Sequence, residues 1–312
     1  MGNNVKHAAL LAAIVMVAFA AMPVFANSSA APGLARSLAQ VQCRADFTTG
    51  VVGSIVAAVP NTTSALSPFP AKLASDITTL TGYATSGDKD NYRTALASFD
   101  SDLKDVRTAI ISARLDNRKD FTATIRSSLQ SQYAQLKSTL DSCETATLTS
   151  FANERITQYQ ADIANYTSKA NALKAKGLDI SGITSVLTDA SSFVSSYQSA
   201  VTAANGTQAL RDAITSHCLY DGCNTGENFH LAAKFEIAKM NSLMSFVKAM
   251  PASANYTSQL SAAQGYIDTA QSTLTTVGTS KYQQGQSKTI FDNISSAYKA
   301  IRDVINAMKK KA

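Results

Sequence analysis

The sequence predicts an all-α protein: an elongated antiparallel helical bundle with coiled-coil-like helices, stapled by disulfides and arranged as up to three divergent helical repeats. Three observations predict it. No proline occurs between Pro70 and Pro251, in a stretch rich in Ala, Leu, Gln and Lys. Apolar residues recur at alternating steps of three and four, the period of helices packed at shallow angles. No segment sustains the period-two alternation of a half-buried strand.

Taken in order, residues 1–26 read as a signal peptide. Lys6 and His7 precede the apolar, alanine-rich run Ala8 to Met22, followed by Pro23 and a candidate cleavage position at Val24, Phe25 and Ala26. The run is shorter than the roughly 20 apolar residues of a spanning helix. The expectation is therefore a cleaved signal and an exported chain without a membrane span. The alternative is an uncleaved segment that anchors the chain to a membrane.

Residues 27–43 form an N-terminal segment, followed by helical repeats over 44–145, 146–222 and 223–312. Each repeat reads as helix, linker, helix, linker, helix. The first linkers are Pro60 to Pro70, Gly177 to Gly182 and Pro251 to Asn255; the second are Ser86 to Asp90, Asn205 to Thr207 and Gly278 to Ser287. The apolar run Val51 to Val59 reads as buried helix. Predicted seams are Leu96, Phe99, Leu103, Val106 and Ile110; Leu129, Tyr133, Leu136, Leu140 and Cys143; and Ile156, Tyr159, Ile163, Tyr166, Ala170 and Leu173. Three further seams follow the same spacing: Ala233 to Val247 through Ile237, Met240 and Met244; Leu260 to Val277; and Ile290 to Met308. Methionines at this spacing read as core filler.

Composition narrows the function. The net charge of +6 is mild for 312 residues, and Lys and Arg alternate with Asp and Glu along the chain, so no nucleic-acid partner is expected. Lys309, Lys310 and Lys311 read as a solvated helix end favoured by the macrodipole. The four cysteines of an exported chain predict two bridges, Cys43 with Cys143 and Cys218 with Cys223. Closing a loop on the order of 100 residues is worth about 4–5 kcal/mol, the short loop about 2. Glycosylation sequons occur at Asn27, Asn61, Asn165, Asn205, Asn255 and Asn293, of which Asn61, Asn205 and Asn255 fall in predicted loops.

One cluster carries possible chemistry. His217, Cys218, Cys223 and His230 are nitrogen and sulfur donors in the number that suits tetrahedral zinc, and Asp221 and Glu227 lie among them. In an oxidising compartment Cys218 and Cys223 are expected to be disulfide-bonded, so zinc is the alternative and no cofactor the expectation. The acidic group Asp100, Asp102 and Asp105, interleaved with Lys104 and Arg107, reads as a solvated, self-paired helix face. No G-x-S-x-G motif or glycine-rich phosphate cradle occurs. The sequence therefore points to a non-catalytic exported scaffold that meets protein or cell-surface partners or associates with itself. The alternatives are a metal-binding protein built on the 217–230 cluster and a helical extracytoplasmic chaperone or carrier.

Overall fold

The computed structural model describes residues 32–217, 229–279 and 285–309. Among them every regular element is helical. The signal-peptide expectation for residues 1–26 and the sequon at Asn27 lie outside the described residues. The chain divides into two compact units, residues 1–148 and 149–312. The dividing point falls within the helix Ala123–Ala175.

The first unit is built on α1 (Pro32–Ala58), the short α2 (Thr63–Leu66), α3 (Pro68–Ser86) and α4 (Lys89–Asp116). Each long helix buries a seven-residue repeat. Leu38, Ala45 and Val52 of α1 continue to Val59 just past its end; Leu66 of α2 continues to Leu73 and Leu80 of α3; α4 supplies Tyr92, Phe99, Val106 and Ala113. A strict heptad holds one face toward its neighbours, and α3 packs against both α1 and α4. Each fully buried large aliphatic or aromatic side chain here contributes about 1.5–3 kcal/mol relative to exposure.

The connections follow from their residues. Pro60 opens a 3₁₀ turn over Pro60–Thr62, and buried Thr62 donates from Oγ1 to the Val59 carbonyl at 2.7 Å. Gly87, at φ 73°, ends α3: its N–H reaches the Ala84 carbonyl while the N–H of Asp88 reaches Tyr83. The Asp88 carboxylate then caps α4 by accepting from the Asn91 amide and side chain, which holds its pKa below the usual range. Arg44 of α1 pairs with Asp100 of α4 at 2.9 Å and lies over the Phe99 ring.

Helix α5 (Ala123–Ala175) contains neither glycine nor proline. In the first unit it runs antiparallel to α1: Cys43 and Cys143 form a disulfide, Phe47 meets Tyr133 edge-on, and Gly50 lies beneath Leu136. A Cβ on Gly50 would sit 2.7 Å from Leu136 Cδ2, so glycine permits this close approach. The predicted Leu129 to Cys143 seam is shallow here, with Leu136 and Leu140 half-buried and Tyr133 exposed. This stretch lies against a core that α1, α3 and α4 already close.

The second unit contains the rest of α5, then α6 (Ser181–Ala203), α7 (Thr207–Ser216), α8 (Phe229–Lys248), α9 (Thr257–Thr279) and α10 (Gln286–Lys309). Lys174 and Gly177 end α5 as the sequence indicates: Gly177, at φ 81°, donates to the Lys174 carbonyl and Leu178 to that of Leu173. Helices α8, α9 and α10 pack pairwise around a core that includes Met240, Met244, Ile267 and Ile290. A different side of α8 places Leu231 and Phe235 against Ala170 of α5 and Ile183 and Leu187 of α6. The seams predicted from Ala233 to Val247 and from Ile290 to Met308 are buried at every position.

Candidate functional site

Helix register places three charged side chains at the α3–α4 seam. Asp102 follows Phe99 by three residues and precedes Val106 by four, which turns it inward; its side chain is 8% exposed. Opposite, Asp76 follows buried Leu73 by three, and Lys72 stands one turn before Asp76. Lys72 Nζ donates to Asp102 Oδ1 at 2.6 Å. The acidic group of α4 is therefore not the uniformly solvated face expected from its composition. Asp100 pairs with Arg44 and Asp102 enters the bundle, because its position in the heptad outranks its polarity.

The environment of these groups fixes their proton affinities. Burial of Asp76, its hydrogen bond with the Asp102 carboxyl and the charge of Asp102 push its pKa up to about 6, against the opposing charge of Lys72. Its Oδ2 is shielded and receives no hydrogen bond from an N–H group among the described residues. The Lys72 ammonium is raised, first by its hydrogen bond to Asp102 and then by the charges of Asp102, Asp105 and Asp76. Asp76 therefore takes up a proton below about pH 6, beside Asp102 and with Lys72 as counter-ion at the solvent edge. This arrangement can hold and release a proton in the mildly acidic range.

In the second unit, the two histidines of the predicted cluster have different surroundings. His217, just past α7, donates from Nδ1 to the Ala213 carbonyl at 2.9 Å, so Nε2 accepts from the Ser196 hydroxyl at 3.2 Å. Its ring stacks on Tyr197 at 5.1 Å and tilts against Phe193. Both ring nitrogens are thereby occupied. His230, near the start of α8, is buried, and burial followed by the charge of Lys234 lowers its pKa to about 4. It is neutral at physiological pH. Cys218 and Cys223, with Asp221 and Glu227, lie outside the described residues. Among the described residues no three His, Cys, Asp or Glu side chains gather as a metal set.

No family model, curated protein or solved structure matches this chain. Function must be read from the geometry alone. A trough of about 510 Å³ is lined by Ser195, Gln198, Ser199, Thr202 and Ala203, and another of about 430 Å³ by Ser150, Asn153, Glu154, Thr157, Gln158 and Ala161. Each is walled by one helix face, α6 or α5, and is open rather than enclosing.

Buried Arg155 of α5 lies over the Phe151 ring at 5.7 Å, and its Nε and Nη2 have no hydrogen-bond partner among the described residues. Its charge opposes the upward shift that burial gives Tyr159, which meets Phe193 edge-on. Sequence reasoning missed this residue and the Lys72–Asp76–Asp102 group. The available signal was the heptad itself: Asp102 lies seven residues after Ala95 and seven before Ala109, both half-buried.

The sequons divide by local structure. Asn61 is exposed in the 3₁₀ turn and donates to Asp120 Oδ2, Asn205 is exposed between α6 and α7, and Asn255 is exposed in the 3₁₀ turn Pro251–Tyr256. Asn165 lies exposed on α5, and Asn293 is half-buried on α10, where its side chain donates to the Thr289 carbonyl.

Proposed function

We propose that this protein is an exported, non-catalytic helical scaffold whose outer helix faces meet protein or cell-surface partners or further copies of itself. One observation carries the reading: in both units the chain's own side chains fill the helix seams, leaving outward faces rich in Ser, Thr, Gln and Asn. Such faces suit lateral contact, because their hydroxyl and amide groups stay solvated until a partner replaces water. The Cys43–Cys143 disulfide supports an oxidising compartment. No described helix is long and apolar enough to cross a membrane.

Intact-mass analysis of the protein recovered from its producing cell, before and after reduction, tests the export half. The expected result is loss of residues 1–26, a mass gain on reduction from each disulfide, and glycan mass at exposed sequons where the host glycosylates. Recovery with residues 1–26 retained and all cysteines reduced would overturn export. Sedimentation velocity and a client-aggregation assay test the scaffold half. A scaffold leaves client aggregation unchanged, whereas suppression would assign the chain to the carrier class.

A further inference from the structure

We propose that the outward face of the C-terminal half of α4 is a docking surface for the anionic phospholipid headgroups of a membrane. Along the chain Lys and Arg alternate with Asp, which hides the pattern, but the helix separates them. Once Phe99, Val106 and Ala113 point inward, one solvent-facing side between residues 104 and 115 carries Lys104, Arg107, Ile111, Arg114 and Leu115, and Arg118 follows in the turn just past the helix end. The carboxylates of the same stretch, Asp105 and Asp116, stand eleven residues apart on another line of the helix, and the charge of Asp105 reaches Lys72 of α3.

Two features separate this face from an ordinary solvated one. Ile111 and Leu115 are 53% and 56% exposed, the highest values among the exposed large apolar residues. All four cations are exposed, and none takes part in an ion pair among the described residues. Two bare aliphatic side chains flanked by unpaired cations over about 17 Å of helix, with Arg118 just beyond its end, form an amphipathic face of the interfacial kind.

Charge complementarity selects the occupant. Three of the four cations are arginines, whose forked guanidinium matches a phosphate diester. The face is a single convex helix surface, so a fluid array of headgroups can conform to it, while Ile111 and Leu115 reach the boundary between headgroups and acyl chains. A folded acidic protein would have to present carboxylates at matching fixed positions. The contact is peripheral, consistent with the absence of a spanning helix among the described residues.

The test is flotation of the full chain with vesicles of phosphatidylcholine alone and of phosphatidylcholine mixed with phosphatidylglycerol, at low and high salt. The expected result is uptake on the mixed vesicles well above that on the neutral ones, weakening as salt rises. Arg107→Glu with Arg114→Glu should reduce that excess at least about tenfold, and Ile111→Ser with Leu115→Ser several-fold. All four positions are exposed, so circular dichroism should report unchanged helix content. Replacing Lys309, Lys310 and Lys311 with Ser should leave the excess intact. Equal uptake on both vesicle types, unchanged uptake by the α4 variants, or loss caused by the tail variant would overturn the proposal. Binding to polyglutamate without vesicle uptake would do the same and assign the face to an acidic protein.

Discussion

The three-helix seam of α1, α3 and α4 and that of α8, α9 and α10 share a heptad period but fill it differently. In the second, the buried positions of α9 and α10 are aliphatic, alanine or methionine from Leu260 to Leu274 and from Ile290 to Met308. In the first, a carboxylate occupies an inward position of α4 and faces a second carboxylate and a lysine on α3. An apolar seam gains stability from area alone and tolerates sliding by a heptad. A charged group buried at one level favours a single register, at a cost in desolvation. The first unit also has a covalent tie between α1 and α5, whereas no disulfide joins described residues of the second.

Moving the charge is the most forceful way to break this comparison. Met244→Asp places a carboxylate in the all-apolar seam without a counter-ion and should cost about 3–5 kcal/mol. Urea denaturation measures it, and a loss below about 1 kcal/mol would mean that the seam admits water. Next comes the tie: Cys43→Ser with Cys143→Ser should destabilise by about 2–5 kcal/mol. Hydrogen exchange should localise that loss to α1 and the first half of α5; an even loss over both units would contradict the division.

Smaller effects sharpen the role of the charged level. Lys72→Met strands a buried carboxylate and should cost about 1–3 kcal/mol, more than Asp102→Leu, which removes the charge and frees Lys72 to solvent. Thermal melts of the two variants would reveal a reversed order. The smallest expected effect is on pH. Asp76 binds its proton more tightly when folded, at about 6 against 3.8 unfolded, so its contribution to stability is full below 3.8 and lost as pH rises through 6. Solvent screening reduces the change between pH 5 and 8 to the order of 1 kcal/mol. Asp76→Asn should flatten the first unit's stability over that interval, and an unchanged slope would place the titration elsewhere.

The α8, α9 and α10 seams were legible in the sequence because apolar spacing alone determines them, whereas the break after Asp116 and the unbroken run of α5 through residues 145 and 146 were not. Gly87 and Gly177 marked their turns for a similar reason: a left-handed residue after a helix has few substitutes. The charged level was not legible. Asp102 lies among acidic and basic neighbours whose default is solvent, and its partners come from α3, so only tertiary packing shows that its seam position prevails. His217 shows the same limit. Its sequence neighbours offer zinc only as the alternative and predict none of its observed contacts, which Ser196 and Tyr197, about twenty residues earlier, supply.

Helix α8 faces two cores, and between His230 and Met244 only Lys234 is exposed. An element with so little free surface couples whatever it touches. Opening the contact with α6 uncovers Leu231 and Phe235, and opening the contact with α10 uncovers Met240 and Met244, on the same rigid segment. The α5–α6 and α9–α10 parts of the second unit should therefore melt as one cooperative block, with α8 as the last helix to gain exchange of its amide protons.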